Sequence, residues 1–170
     1  MVERPQLPSP EEVLVRDGVV VILEGVANAD NVGGIFRNAA AFGAAGVILS
    51  PTCCDPLYRK AVRTSMGAVL QVPFARLRAW PDSLERVRGA GRQLVALTPR
   101  APSASIVDFA RGARGLSLAL IAGTEGDGVS PTVEAMADAR VSIPMAPGVD
   151  SLNVAVATGI ALFVLGAPRL

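Results

Sequence analysis

The feature that most constrains this chain is a regular alternation between short apolar runs and segments whose apolar residues recur at helical spacing. Residues 19–23 and 46–49 are apolar runs typical of buried strands, and residues 32–42 between them repeat apolar side chains at helical spacing. The alternation continues with strands predicted at 69–72, 92–97, 116–122 and 140–144 and helices at 56–65, 81–89, 105–110, 130–137 and 152–165. Strands that alternate with helices form parallel sheets covered by helices. The sequence therefore predicts an α/β fold with a mostly parallel sheet and helices on both faces.

Residues 1–18 differ from the rest of the chain. Pro5, Pro8 and Pro10 interrupt this polar start, and residues 9–12 have the Ser-Pro-Glu-Glu pattern that opens a short helix. We predict a linker or N-terminal extension at 1–18 and one domain at 19–170. The chain has 170 residues, enough for one sizeable core, and it is 51% hydrophobic but only 4% aromatic. Aliphatic side chains must therefore fill the core, as in a buried parallel sheet.

Composition excludes several classes of chemistry. The chain has no histidine, which removes the Ser-His-Asp triad, the Cys-His pair and histidine metal sites. Its single lysine, Lys60, does not follow a glycine-rich loop, so a P-loop nucleotidase is excluded. Cys53 and Cys54 are adjacent, and neighbouring cysteines bond each other only with strain, so we expect reduced thiols. Since neither a signal peptide nor a membrane span is visible, we predict a cytoplasmic protein.

Positive charge is concentrated in the middle of the chain. The net charge is only +1, but residues 55–100 hold nine basic side chains against three acidic ones. We interpret this excess as a phosphate-contacting face, and the alternative is a set of solvated helix surfaces. The basic residues are Arg59, Lys60, Arg63, Arg76, Arg78, Arg86, Arg88, Arg92 and Arg100.

The most informative single stretch is 143–157, where a strand passes through a Pro/Gly turn into a helix with almost no polar face. Ser151 is a good N-cap for that helix, and the amides behind it would point at whatever lies over the turn. The apolar run 152–165 is shorter than the ~20 residues that cross a bilayer, so we predict a buried helix. Asn153 would then lie one residue inside an apolar element and need a hydrogen-bond partner. The alternative is a capped core helix with a satisfied asparagine.

Two other stretches combine glycines with polar side chains. The first is a predicted helix capped by Asp30 or Asn31, in which Gly33 and Gly34 lie one turn before Arg37 on the same face. Because glycines carry no side chain, we expect open space beside the Arg37 guanidinium, where a phosphate or ribose could approach. The alternative is an arginine on a solvent face with the glycines serving a tight turn.

The second stretch ends a predicted buried strand and becomes a loop in which Gly123, Gly126 and Gly128 surround Glu125 and Asp127. The order of the glycines is not the Gly-x-Gly-x-x-Gly of dinucleotide-binding folds. Such a loop offers main-chain groups beside a carboxylate, and it can hold an adenosine by backbone hydrogen bonds and shape. The alternative is a plain glycine-rich turn with a solvated acid.

Residues 31–43, 121–130 and 143–157, in this order, resemble the three sequence motifs of the SpoU/TrmH family of RNA ribose 2'-O-methyltransferases, and residues 63–68 are also similar to that family. The resemblance covers nearly the whole chain. It implies a SPOUT-type fold in which the C-terminal third, residues 116–165, forms a deep trefoil knot. It also implies S-adenosylmethionine as methyl donor, ribosomal or transfer RNA as substrate, a homodimer, and no metal.

The resemblance assigns roles to individual residues. Those matching the cofactor pocket are Thr98, Gly123, Glu125, Ile143, Met145, Ser151 and Leu152. Those matching the catalytic centre are Asn31, Arg37, Glu125, Ser151 and Asn153, and those expected to contact RNA are Arg37, Arg59, Lys60 and Arg63. Relatives are often described with the arginine matching Arg37 as general base, but a guanidinium stays protonated near neutral pH and is a poor base. We therefore interpret Arg37 as an electrostatic and positioning group, with Glu125 and Asn153 as candidates to orient or receive the proton.

Two other function classes compete with this interpretation. A catalytically silent RNA-binding or assembly module would keep the fold, but the joint presence of polar residues in all three motifs argues against it. A nucleotide-dependent oxidoreductase on a doubly wound sheet is disfavoured by the glycine order and the missing ribose-binding acid.

The resemblance and the apolar character of helix 152–165 together carry two expectations about surfaces. That helix has more hydrophobic surface than one sheet face needs, so we expect a two-fold homodimer with Arg37 of one subunit near the cofactor pocket of the other. We also expect the basic residues of 59–100 to form one face continuous with the Arg37 site.

Overall fold

The structure is a computed structural model that describes residues 7–166. Its strands are β1 (Val20–Leu23), β2 (Gly46–Leu49), β3 (Phe74–Arg76), β4 (Gln93–Leu97), β5 (Ala104–Ser105), β6 (Leu118–Ala122) and β7 (Ala139–Ser142). They form one sheet in the order β3-β2-β1-β6-β4-β7-β5, in which every strand pair is parallel. The predicted parallel sheet is confirmed. Residues 1–6 of the predicted extension and 167–170 of the predicted domain lie outside the described residues.

Helices precede, connect and follow the strands. They are α1 (Pro10–Leu14), α2 (Ala29–Ala41), α3 (Arg59–Thr64), α4 (Leu84–Gly89), α5 (Ile106–Gly112), α6 (Pro131–Met136), α7 (Val154–Gly166) and a 3₁₀ turn (Ala68–Leu70). In the part of the chain that the structure describes, none of these helices is long and apolar enough to cross a membrane.

Alternate residues of each strand face opposite sides of the sheet, so the sheet carries two cores. Val21 and Leu23 of β1 face the side covered by α2, α3, α5 and α7. Val20 and Ile22 face the side covered by α1, α4 and α6. Helices therefore cover both faces, as predicted.

Helix α2 begins earlier than predicted. It starts at Ala29, and its N-cap is Asn28, whose side chain accepts a hydrogen bond of 2.8 Å from the amide of Asp30. The prediction that Asp30 or Asn31 caps this helix is wrong. The reason is that Asn28 takes the extended backbone conformation of a cap, with φ −76° and ψ 121°, and this frees both later side chains for other partners.

The strand predicted at 69–72 is also wrong. Residues Ala68–Leu70 form the 3₁₀ turn, and the strand follows only at Phe74–Arg76. Val69 and Val72 are both buried whereas Leu70 is 66% exposed, so burial recurs after three residues rather than after two. A short apolar run fits both patterns, and the turn that begins at Gly67, with φ 81°, decides between them.

Helix α1 (Pro10–Leu14) packs closely against the sheet. The predicted short helix is α1, with a capping box between Ser9 and Glu12, and its Val13 and Leu14 are buried. After α1 the chain is held by Arg92, which is only 4% exposed. Its guanidinium donates to the carbonyls of Leu14, Gly18 and Leu118 at 2.8, 2.7 and 3.1 Å, and to that of Arg16. The domain boundary at residue 18 stays a prediction.

Candidate active site

Three loops meet at one edge of the sheet, where the parallel strands β4, β6 and β7 end. They surround a cavity of about 360 Å³. The residues predicted to bind the cofactor all line it: Thr98, Gly123, Glu125, Ile143, Met145, Ser151 and Leu152. Loops that lie 45 residues apart in sequence, after β4 and after β7, thus form one concave site, although the cofactor role of these residues stays a prediction.

The loop after β6 folds back on itself. The backbone groups of Thr124 and Gly128 pair in both directions, at 3.1 and 3.0 Å. A side chain at Gly123 would lie 2.0 Å from the carbonyl of Gly128, so only glycine permits this closure. Glu125 is carried at the exposed tip, and the loop presents its backbone to the cavity.

The residue that caps helix α7 is Asn153. Its side-chain oxygen accepts from the amides of Ala155 at 2.9 Å and Val156 at 3.3 Å. The prediction that Ser151 is the cap, with Asn153 inside the helix, is wrong because the helix begins three residues after Ser151, at Val154. Ser151 lies exposed in the preceding turn and lines the cavity.

With its oxygen used as the cap, Asn153 directs its amide nitrogen away from the helix. That nitrogen donates to Asn31 Oδ1 at 2.9 Å and to Glu125 Oε1 at 2.6 Å. Asn31 is only 6% exposed, whereas Glu125 is exposed. One hydrogen-bonded link therefore joins one residue from each of the three blocks that sequence analysis singled out.

Arg37 lies apart from this link. Its side chain is exposed, lies outside the cavity lining and forms no hydrogen bond or ion pair with any residue of 7–166. The prediction that Gly33 and Gly34 leave open space beside Arg37 is wrong. A side chain at Gly33 would lie 2.8 Å from the Ala61 carbonyl, and one at Gly34 would lie 2.9 Å from the Ala155 side chain. Instead, Gly33 allows α3 to pack closely against α2, and Gly34 allows α7 to do so.

Sequence analysis missed Asn38, which fixes α7 on α2. Its amide donates to the Ala155 carbonyl at 2.7 Å, and a side chain at Gly159 would meet that amide at 2.7 Å. The only local signal is that Asn38 follows Arg37 in an otherwise apolar helical segment.

Arg100 was predicted only as part of a basic surface, and it braces the cavity instead. It donates to the Val129 carbonyl at 2.7 Å and to the Asp127 carbonyl, and its Nε lies 3.6 Å from Oε1 of the buried Glu134. Its backbone amide donates to Thr98 Oγ1 at 3.2 Å. The loops after β4 and β6 are therefore held together by one side chain.

A second cavity, of about 580 Å³, lies over the beginning of α3. We call it the α3 cavity; its lining residues are Asp30, Tyr58, Arg59, Lys60, Arg63 and Thr64. Asp30 accepts from Lys60 at 2.7 Å and from Thr64 at 3.0 Å. The hydrogen bond from Lys60, followed by that from Thr64, lowers the pKa of Asp30, and the bond to Asp30 raises the pKa of Lys60.

The predicted single basic face is wrong. Arg92 is buried, and Arg76 donates to the carbonyls of Ser50, Pro51 and Cys53. Arg86 and Arg88 belong to α4, on the sheet face opposite α3. Runs of charge in a sequence do not record which side of a sheet each helix covers. Of the nine basic residues, Arg59, Lys60 and Arg63 lie together, in the lining of the α3 cavity.

Comparison with known proteins assigns the family. A model of the SpoU rRNA Methylase family matches residues 18–163. The chain belongs to this family. One relative is an uncharacterized tRNA/rRNA methyltransferase of Mycobacterium tuberculosis, 40% identical over 156 residues, or 92% of this chain and 54% of the relative. Another is the 23S rRNA (guanosine-2'-O-)-methyltransferase RlmB of Vibrio vulnificus, 33% identical over 89% of this chain and 60% of that protein.

The SpoU-family fold is also found in solved structures. An AdoMet-bound rRNA methyltransferase from Sinorhizobium meliloti is similar with a TM-score of 0.83 and 33% identity, covering 94% of this chain and 60% of that one. The chain spans about half the length of the curated relatives it matches.

Proposed function

We propose that this chain transfers a methyl group from S-adenosylmethionine to a ribose 2'-hydroxyl of ribosomal or transfer RNA. The observation that carries the proposal is the link from Asn31 through Asn153 to Glu125 at the mouth of the cavity. The ribose as methylation site is supported by the Vibrio vulnificus relative, which is a 23S rRNA guanosine 2'-O-methyltransferase.

The cavity after β4, β6 and β7 fits the proposed cofactor. Its volume of about 360 Å³ lies in the range of small-molecule sites, ~300–1,000 Å³. Leu97, Ile143 and Leu152 provide apolar surface, while Thr98 and the backbone of the Gly123 loop provide hydrogen-bonding groups. When bound, S-adenosylmethionine would supply an electrophilic methyl group on a positively charged sulfur. No metal is part of the proposal.

The polar residues of the site have separate proposed roles in the transfer. Asn31 orients Asn153, which holds Glu125 at the cavity mouth, where that carboxylate can receive the hydroxyl proton. Ser151 adds a hydroxyl at the cavity wall. The Arg37 guanidinium stabilises negative charge that develops on the ribose oxygen. Arg59, Lys60 and Arg63 complete the proposed RNA contacts.

A homodimer is part of the proposal, because Arg37 does not line the cofactor cavity of its own subunit. Val156, Ile160 and Phe163 form an apolar stripe on α7 and are 51%, 37% and 60% exposed. A two-fold dimer that buries this stripe would bring Arg37 of one subunit to the cofactor cavity of the other. A monomer at micromolar concentration in light scattering would refute this assembly.

The trefoil knot and the cytoplasmic location are proposals too. β7 pairs between β4 and β5, near one end of the strand order. The next helix, α7, packs against α2, which connects β1 and β2 in the other half of the sheet. This return path supports the knot. Pulling the chain by its ends should give an extension shorter than ~3.4 Å per residue predicts, because a tightened knot stores residues. The cytoplasmic location is tested by fractionating cells that produce the tagged protein.

The activity is tested by incubating the chain with S-adenosylmethionine labelled on the methyl group and with ribosomal or transfer RNA from cells that lack its gene. Methylation of the 2'-oxygen should give label in alkali-resistant dinucleotides, because alkaline cleavage needs a free 2'-hydroxyl. Label in mononucleotides would refute the ribose as acceptor. Cofactor binding in calorimetry without any transfer would instead indicate the silent RNA-binding module.

The role of Arg37 is tested in the same assay. Arg37→Lys keeps the charge but loses the planar fork, so we expect partial activity. Arg37→Ala should lose most of the turnover while binding the cofactor like the parent. Near-parental turnover of Arg37→Ala would refute the role.

A further inference from the structure

We propose that the α3 cavity binds an unpaired nucleotide of the RNA near the methylated one, with its base stacked on Tyr58 and its phosphate held between Arg59 and Arg63. The inference rests on the proposed function and narrows its substrate to RNA that is single-stranded at this point. Three observations on α3 and α2 support it.

The first observation is the arrangement of side chains on α3. Ala61 is fully buried against the core, so the opposite side of this short helix faces solvent. Arg59 and Arg63 lie four residues apart, which places their Cβ atoms ~5–6 Å from each other on one face. Neither guanidinium has a hydrogen-bond or ion-pair partner among residues 7–166. Two free guanidiniums at this spacing can contact the oxygens of one phosphodiester.

The second observation is that Asp30, the acid among the described residues that line the α3 cavity, is already neutralised. Asp30 is bound to Lys60 at 2.7 Å and to Thr64 at 3.0 Å. The pair leaves the cavity with the net positive charge of Arg59 and Arg63. Lys60 therefore serves Asp30 in this arrangement, and we expect it to contribute less to RNA binding than either arginine.

The third observation is the exposed aromatic ring at the same opening. Tyr58 precedes α3 directly and is 58% exposed, and its hydroxyl forms no hydrogen bond with the described residues. An exposed aromatic ring beside cationic groups is the combination with which proteins bind single-stranded nucleic acid, since every base offers a face for stacking. A base in a duplex is already stacked and paired, so the site selects unpaired nucleotides.

Helix α2 fixes the distance between this subsite and Arg37. Asp30 and Arg37 are seven residues apart, or two helical turns, which is about 10 Å along one side of the helix. Gly33 lies between them and lets α3 approach, because a side chain there would meet the Ala61 carbonyl at 2.8 Å. At ~3.4 Å per phosphate of a stacked strand, the subsite is a few nucleotides from the ribose that Arg37 contacts.

The test measures the affinity of the full chain, saturated with S-adenosylhomocysteine, for a fluorescent single-stranded oligoribonucleotide and for the same strand in a duplex. The parent should prefer the single strand. Tyr58→Phe should keep this preference, since the ring remains, whereas Tyr58→Ala should weaken single-strand binding roughly tenfold and leave duplex binding nearly unchanged. Equal affinity of the parent for both RNAs, or equal loss for both in Tyr58→Ala, would overturn the proposal.

The arginines are tested through the salt dependence of the same binding. Arg63→Ala should reduce the slope of log affinity against log salt by about one, as expected for one lost phosphate contact. Arg114→Ala is the matched control, because Arg114 is exposed and precedes β6 at the opposite edge of the sheet, so its slope should equal that of the parent. Equal slopes for Arg63→Ala and the parent would overturn the phosphate contact.

Failure of the proposed function is distinguishable from failure of the subsite. If the parent and Tyr58→Phe select single strands but transfer no methyl group, the subsite stands and the methyltransferase proposal fails. If Tyr58→Ala methylates RNA as well as the parent does, the function stands and the subsite fails.

Discussion

At the scale of single residues, the side chain of Asn153 both caps a helix and holds the polar link at the cavity. Its oxygen caps α7 through the amides of Ala155 and Val156, and its nitrogen reaches Asn31 and Glu125. An asparagine has an acceptor and two donor hydrogens on one planar group, and here all of them are used. Aspartate would keep the cap but lose the donor hydrogens. Serine would also cap the helix, but its side chain is too short to contact Asn31 and Glu125 as well.

The first prediction separates the capping oxygen of Asn153 from its donating nitrogen. Asn153→Asp should retain the cap of α7 and remain folded, while the new carboxylate repels Glu125 and leaves Asn31 without its donor. We expect methyl transfer to fall at least tenfold, measured as turnover at saturating cofactor and RNA. Unchanged turnover would show that the link is only structural.

A pair of alanine variants distinguishes the true cap from the one that the sequence indicated. Asn153→Ala should cost about 1 kcal/mol or more in the free energy of unfolding, whereas Ser151→Ala should stay within about 0.5 kcal/mol of the parent. Urea unfolding measures both. A larger loss in Ser151→Ala would contradict the cap assignment.

At the scale of elements, the site depends on how closely α7 lies on α2. Gly34 of α2 faces Ala155, and Gly159 of α7 faces the Asn38 amide, so small residues on both helices allow close approach. Asn38 then donates to the Ala155 carbonyl at 2.7 Å. The first turn of α7 is therefore placed relative to α2, and Asn153 is placed relative to Asn31.

The second prediction tests this packing. Gly159→Ala places a methyl group 2.7 Å from the Asn38 amide and should destabilise the fold by about 1–3 kcal/mol, despite the higher helix propensity of alanine. Gly112→Ala is the matched control, because a side chain at that helical glycine meets nothing within 4 Å, and it should be neutral or stabilising by up to about 1 kcal/mol. Thermal and urea unfolding compare the two. Adding Asn38→Ala should relieve part of the Gly159→Ala loss.

At the scale of the whole molecule, Arg92 connects the beginning of the described chain to the centre of the sheet. Its guanidinium holds carbonyls of the segment after α1 and the first carbonyl of β6. Burial lowers the pKa of Arg92, but a guanidinium remains charged at neutral pH, and the carbonyl dipoles compensate that charge. Sequence position suggested a surface arginine and a linker, and the structure joins the two in one buried contact.

The third prediction removes this contact. Arg92→Met should lower the free energy of unfolding by about 3 kcal/mol or more, because several carbonyls lose a charged donor at once. Arg86→Met is the control, since Arg86 is 64% exposed and its pair with Glu11 should contribute less than about 1 kcal/mol. In Arg92→Met, limited proteolysis should cut at residues 14–18 first. Equal losses in both variants would contradict the role of Arg92.

Much of the architecture was predictable because it depends on local periodicity. Four-residue apolar runs such as Gly46–Leu49 are buried on both faces, and the helices between them carry apolar residues on one side. These patterns predict parallel strands and helices on both faces without knowledge of any distant contact. The order of the three polar blocks, read as a family resemblance, was sufficient to nominate the residues that line the cavity.

What the tertiary structure decided is which neighbours those residues have. Asn31 and Asn153 are 122 positions apart, and no local pattern records that they pair. Gly33 and Gly34 suit an open ligand face and a close helix contact equally well in sequence, because a missing side chain is compatible with both. An arginine likewise looks the same in sequence when it is solvated, as Arg59 is, or buried on four carbonyls, as Arg92 is. Periodicity predicts which faces of the strands and helices are apolar, whereas only the packed chain determines which side chains are buried and what each of them contacts.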